Sequence, residues 1–288
     1  MSTTPTTALP VTQYTPEPAL RHPRALAGAM VRDLWRARGL AWRLTVRDLS
    51  AQYRQTALGM LWAFIVPLAN TLVWVFLGAS GVVATTDAPL PYPVYVFTGA
   101  MLWAVFVDAA NAPLRVTMAA APMLAQVNFP REALLLSGIA QALYHAGIKL
   151  AVLIAALFLL GQTPGAALAL APLGVLALVL AGTVLGLLVT PLGVLYGDVG
   201  KSFPLVTQFL MYLTPVVYVM PTDGWAARLL ALNPLTPLVS TARAWLTGME
   251  PAALTYFMAV NLVTLALLLV GWTAYRVAMP ILIERVRG

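Results

Sequence analysis

This 288-residue sequence predicts an all-α integral membrane protein with six transmembrane helices. Three observations predict it. Only 9% of the residues are charged and 60% are hydrophobic, too few charges to cover a soluble domain. The apolar residues come in runs of about 20, the length an α-helix needs to cross a hydrocarbon core of about 30 Å. The ten-residue alternating segments of an outer-membrane barrel are absent. With no cysteine, the chain has no disulfide, no thiol catalysis and no cysteine-ligated metal.

Residues 1–24 are polar and proline-bearing with no apolar core, so they predict a disordered tail and no cleavable signal peptide. Residues 25–56 predict an amphipathic helix. At about 100° per residue, Arg32, Arg36, Arg43, Arg47 and Arg54 fall within roughly 60° of one another. Val31, Trp35, Trp42, Val46, Leu49 and Tyr53 form a second stripe, also about 60° wide. An apolar-aromatic face beside a cationic face is the pattern of a helix lying in the membrane interface. Gly39 marks a possible hinge in it. The helix serves as a topology anchor, as a contact for a cytoplasmic partner or anionic headgroups, or as both.

The six spans follow at about 57–79 (with Pro67 inside), 92–112, 133–160, 167–195, 203–219 and 252–278. Basic residues set their direction. Of the 17 Lys and Arg, eight precede the first span; Arg115, Arg131, Lys201, Arg276, Arg285 and Arg287 fall on the same side. The opposite side holds only Arg228 and Arg243, and Lys149 lies within a span. That asymmetry predicts both termini in the cytoplasm. In a chain this apolar, the net charge of +7 sets topology and meets anionic lipid; no nucleic-acid partner is expected.

Several blocks now resemble one known family. Arg47-Asp48-Leu49, then Tyr53-Arg54-Gln55-Thr56-Ala57-Leu58-Gly59-Met60-Leu61-Trp62 and Pro67-Leu68, resemble the start of ABC-2-type polysaccharide export permeases, which include O-antigen, capsule and teichoic acid exporters. Phe129-Pro130-Arg131-Glu132 resembles the family's second-to-third connection, and Tyr196-Gly197-Asp198-Val199-Gly200 its fourth-to-fifth. Pro215-Val216-Val217-Tyr218 and Leu232-Asn233-Pro234-Leu235-Thr236-Pro237 resemble its fifth span and the loop after it. The blocks occur in family order from about Arg47 onward; the N-terminal extension is a departure. The resemblance implies a multi-pass inner-membrane homodimer, working with two ATP-binding cassette subunits to move a polyprenyl-diphosphate-linked glycan. Residues 57–288 are then the six-helix domain, and Arg43, Arg47, Asp48, Tyr53 and Arg54 belong to its interface helix. No cofactor is expected in this chain, with ATP and Mg on the partner subunit. Export of small hydrophobic molecules is the alternative within the same superfamily.

Candidate sites are weighed on chemistry. Gly197-Asp198-Val199-Gly200-Lys201-Ser202 invites a phosphate-loop assignment and fails it. The motif needs a glycine where Leu195 stands and a preceding strand, so no ATP hydrolysis is expected here. The connection from Arg115 to Glu132 is apolar for a loop and predicts a short helix near 117–127. That helix either docks in a groove on another protein or lies in the interface without a partner. The resemblance makes Asn128, Phe129, Pro130, Arg131 and Glu132 the segment coupled to the ATPase. Gln141, His145 and Lys149 recur every four residues and share a face, either lining a polar channel or bonding between helices, with Lys149 snorkelling outward as a further alternative. The depth of the spans sets Asp108 against Gln141 rather than Lys149. With its only companion, His22, in the tail, His145 is not expected to bind metal.

The proline-broken stretch from Met220 to Pro251 predicts two short helices. Asp223 caps one and Thr236-Pro237 begins the other. Each is too short to span, which fits helices re-entering from the outer face, and the resemblance implies the same. They would close the outer mouth, with Asp223, Asn233, Pro234 and Pro237 as gate residues; a plain interfacial loop is the alternative. Trp62, Trp74, Trp103, Tyr212 and Tyr218 can stack on sugar rings, or serve as an interface belt or in helix packing. Gly182 with Gly186, and Gly193 with Gly197, permit close helix approach, within the bundle or between two copies. A membrane enzyme would need clustered carboxylates or histidines, and the ten acids are dispersed.

Overall fold

In the computed structural model the described residues are 23–54, 59–81, 89–126, 130–221 and 223–287, and among them there is no strand. Among the described residues nine α-helices follow in order: α1 (Pro23–Arg54), α2 (Trp62–Ala79), α3 (Tyr92–Gln126), α4 (Glu132–Leu159), α5 (Ala171–Leu195), α6 (Gly197–Tyr212), α7 (Gly224–Leu232), α8 (Leu235–Thr247) and α9 (Leu254–Arg287). Among the described residues, four helical stretches are long and apolar enough to cross a membrane: Tyr92–Ala120, Glu132–Leu159, Gly165–Leu195 and Leu254–Met279.

The parallel pair α3 and α5 forms the centre. Gly182 lies under Ala109 and Ala110, Gly186 under Ala110 and Pro113, and Gly193 under Leu114, so both chains advance together. A β-carbon at Gly186 would meet the Ala110 carbonyl and stand 2.9 Å from Pro113 Cδ. The glycine spacing therefore serves the internal bundle at these three positions, while Gly197 has open space around it. α5 is apolar on both its sides, one packed in the bundle and the other turning Leu173, Leu176 and Leu192 outward. Leu178 and Leu187 are fully enclosed. α4 and α9 also turn Leu143, Phe158, Leu262, Val263 and Leu269 outward, an apolar exterior suited to lipid.

With α3 as a ruler, the molecule has two ends. At one end Tyr92, Tyr95 and Gly99 meet the 216–218 segment and α8. At the other, Thr117 pairs with Tyr275 of α9, Gly200 lies beside Met118, and α1 packs on the start of α4. The short α6 runs between these ends, from Gly200 near Met118 to Leu213 near Asn233. The described cations sort accordingly. The α1 arginines, Arg131, Lys201 and Arg276 stand at the α1 end, and Arg228 and Arg243 at the other.

Three expectations are corrected. The second span does not end near residue 112, and there is no separate helix at 117–127: α3 continues unbroken to Gln126. The fifth span is not one helix through residue 219, because α6 stops at Tyr212 and residues 213–218 are turns and bends. Gly39 makes no hinge, since α1 is continuous through it.

Candidate functional site

Three polar assemblies sit along the ruler. The first fastens α1. Its buried stripe is Met30, Ala37, Ala41, Leu44 and Thr45. At about 100° per residue, that stripe lies roughly 120° from the Trp stripe and from the Arg stripe, so α1 has three faces rather than two. Trp35 and Trp42 are 68% and 67% exposed, turned away from the protein. Arg38 lies over the Trp35 ring at 4.1 Å. Along α4, Thr45 donates to Ser137 at 3.2 Å. One turn later Gln141 donates to Asp48 at 3.2 Å, and Arg47 also pairs with Asp48. Arg276 of α9 closes the assembly, with Nη2 on Asp33 and Nη1 on Glu132, both at 2.6 Å. One guanidinium thus ties α1, α4 and α9 together, using the two-pronged geometry that arginine alone offers.

This places the expected coupling segment. Pro130 is exposed and Arg131 half-buried just before α4, while Glu132 is buried on Arg276. Asn128 and Phe129 lie outside the described residues, as do residues 1–22 and the side chains of Tyr53 and Arg54. For the other interface residues, Arg43 and Arg47 are exposed and Asp48 is half-buried.

The second assembly is at mid-depth. Lys149 pairs with Asp108, and His145 Nδ1 lies 3.9 Å from the same carboxylate oxygen. The expectation that Asp108 meets Gln141 is therefore wrong, and the reason is the length of α3. Asp108 lies about 18 residues before the helix end at Gln126, and Lys149 about 17 after the α4 start, roughly 27 and 26 Å along antiparallel helices. The depths match. Gln141, His145 and Lys149 do share a face, and it points inward against α3 and α1. Asp108 continues outward into a stripe with Asn111 and the exposed Arg115.

The third assembly surrounds residues 213–218. Pro215 has no N–H to offer, and the chain leaves the helix there. Backbone off the helix at membrane depth must find partners within the protein. It finds them from side chains. Asn233 Nδ2 donates to the Leu213 carbonyl at 2.7 Å and to Thr214 Oγ1 at 2.9 Å. Arg243 Nη2 donates to the carbonyls of Pro215 at 3.2 Å and Val216 at 2.6 Å. Tyr92 and Tyr95 of α3 donate to the carbonyls of Val217 at 3.0 Å and Tyr218 at 3.1 Å. The guanidinium lies 3.8 Å over the Tyr95 ring. The absence of a side chain at Gly99 makes room, because a β-carbon there would collide with the Val216 carbonyl and Arg243 Nη2.

The expected gate residues border this assembly. Asp223 occupies the N-cap position of α7 in extended conformation, without a side-chain cap bond. Asn233 Oδ1 accepts from Leu235 N–H at 2.9 Å, Pro234 is the N-cap of α8, and Pro237 is buried in its first turn. Of the candidate aromatics, Trp103 is a core residue tilted on Phe106 at 5.0 Å. Trp74 packs partly buried on the same core. Trp62 and Tyr212 are half-exposed. Tyr218 donates to the Tyr212 carbonyl at 2.8 Å and so braces the break. Arg243 was legible only as a topology charge.

Three curated relatives match most of the chain. The O-antigen export system permease protein RfbA of Myxococcus xanthus is 28% identical over 218 residues, covering 75% of this chain and 83% of its own length. A protein of the same name from Klebsiella pneumoniae is 25% identical over 244 residues, covering 82% and 92%. A second from Klebsiella pneumoniae is 24% identical over 207 residues, covering 70% and 76%. No protein-family model matches the chain. The likeness to O-antigen export permeases covers 70–82% of the chain, and the proteins that share it are named as transport components.

Proposed function

From that likeness to O-antigen export permeases, we propose that this chain is the membrane permease subunit of an ATP-driven polysaccharide exporter. It acts as a homodimer in the inner membrane with two ATP-binding cassette subunits, which hold ATP and Mg. Its cargo is a polyprenyl-diphosphate-linked glycan such as O-antigen, moved from the cytoplasm to the outer face. The observation that carries this reading is the alignment with relatives over 83% and 92% of their own length. It is a transport subunit and not an enzyme.

The topology fits. In addition to the four long helices, α6 runs between the two ends of the bundle and the apolar α2 packs along α3, which supports six crossings. The end rich in cations is the cytoplasmic one by the positive-inside rule, and it holds α1 and Arg131. With its Trp stripe in lipid and its Arg stripe toward headgroups, α1 suits the cytoplasmic interface. The α7–α8 pair then falls on the outer side as two re-entrant helices that close the mouth. Half-exposed Trp62 and Tyr212 and the exposed Arg115 are side chains that can face a glycan conduit between two copies.

Affinity purification in mild detergent tests the assembly. A cassette ATPase recovered at 1:1 supports it, and a stable assembly with no nucleotide-binding partner contradicts it. Arg131→Glu should lower that recovery while the chain still inserts. Glu132→Lys is a poorer probe, because it also breaks the contact with Arg276.

A further inference from the structure

Arg243 is 97% buried, and among the described residues no carboxylate pairs with it. Its Nε is also without a hydrogen-bond partner. An isolated buried cation is a poor way to fasten helices, since well-packed apolar side chains of similar volume usually do as well or better. What Arg243 offers instead is a contact set that can be exchanged. Two carbonyls of a helix break and one aromatic face replace its hydration shell, and water can replace them in turn. The partners come from three separate places. The carbonyls belong to the 213–218 segment, the ring to α3, and the arginine to α8.

We propose that Arg243 is a latch: a positioning residue that holds the 213–218 segment shut against α3, and whose release opens the outer side of the bundle. The inference rests on the exporter reading for its purpose, although the latch itself does not depend on it. The hydroxyls of Tyr92 and Tyr95 and the amide of Asn233 share the load, so five carbonyls let go together or not at all. Gly99 sets the clearance. Any side chain there would push the Val216 carbonyl and the guanidinium away from α3.

The chain has no cysteine, so an introduced one is a clean probe. Val217 is fully buried in the segment, and Leu178 is fully buried in the α5 core. Val217→Cys and Leu178→Cys are placed separately in the full-length chain in right-side-out vesicles. Each is treated with a membrane-impermeant maleimide, with Arg243 intact, as Arg243→Met, or with the exposed Arg228→Met as control. The latch predicts that Arg243→Met speeds labelling of Val217→Cys about tenfold or more, equivalent to about 1.4 kcal/mol or more. Labelling of Leu178→Cys should stay slow, and Arg228→Met should change neither. Tyr95→Phe, a milder variant that keeps the ring and removes one hydroxyl, should give a smaller rise at Val217→Cys alone. If Arg243→Met leaves Val217→Cys protected, or if the two cysteines become reactive together, the latch is overturned. None of these readouts needs a cassette subunit or a glycan, so they separate the latch from the exporter reading.

Discussion

The Lys149–Asp108 pair makes an unequal prediction. The Lys149 side chain is 6% exposed and that of Asp108 34% exposed. Asp108→Asn takes away the carboxylate charge facing a buried ammonium, and stranding a buried charge costs about 3 kcal/mol or more. Lys149→Met leaves a carboxylate that still has an open side, so its cost should be about 1 kcal/mol. The double variant Asp108→Leu/Lys149→Met has no charge left to strand and should recover most of the loss. At about 2–4 °C per kcal/mol, Asp108→Asn should lower the melting temperature in mild detergent by roughly 6 °C or more, against a few degrees for Lys149→Met. Equal losses for the two single variants, or a double variant as unstable as their sum, would refute the pairing.

Three further perturbations follow from the packing. Arg276→Lys cannot hold Asp33 and Glu132 at once, so amide exchange along α1 should speed up while α3 and α5 stay protected. Unchanged α1 protection would count against the three-helix tie. Gly186→Ala drives a methyl into the Ala110 carbonyl and should destabilise the bundle by about 1–3 kcal/mol or more, read as a lowered melting temperature. Gly39→Ala meets nothing within 4 Å and removes backbone freedom from a continuous helix, so it should stabilise by about 0.5–1 kcal/mol.

The fold class and most helices were legible because apolar runs report lipid contact directly. The third and fourth expected spans lie within a few residues of α4 and the 165–195 stretch, and the sixth matches the apolar stretch Leu254–Met279, beyond which α9 continues to Arg287. The second was cut short at Asn111, Pro113 and Arg115, residues that weaken a hydropathy window. In the structure they ride on a helix whose buried side is held by α5. That single error misplaced Asp108 in depth and gave it the wrong partner. Two of the three faces of α1 were visible as Trp and Arg stripes. The third is built from Ala37, Ala41 and Thr45, small side chains with little hydropathy signal. The carbonyl partners of Arg243 lie 27 and 28 residues away in sequence, and no periodicity links a cation to a helix break at that distance. The Pro215-Val216-Val217-Tyr218 block was visible as a likeness, and its carbonyl bonding gives that likeness a physical content.

The most direct test of the exporter account is export itself. Deletion of this gene in its source organism should remove a surface polysaccharide and leave its polyprenyl-linked form accumulating inside the cell. Restoring the chain should reverse both changes. An intact surface polymer with no internal accumulation would contradict the account.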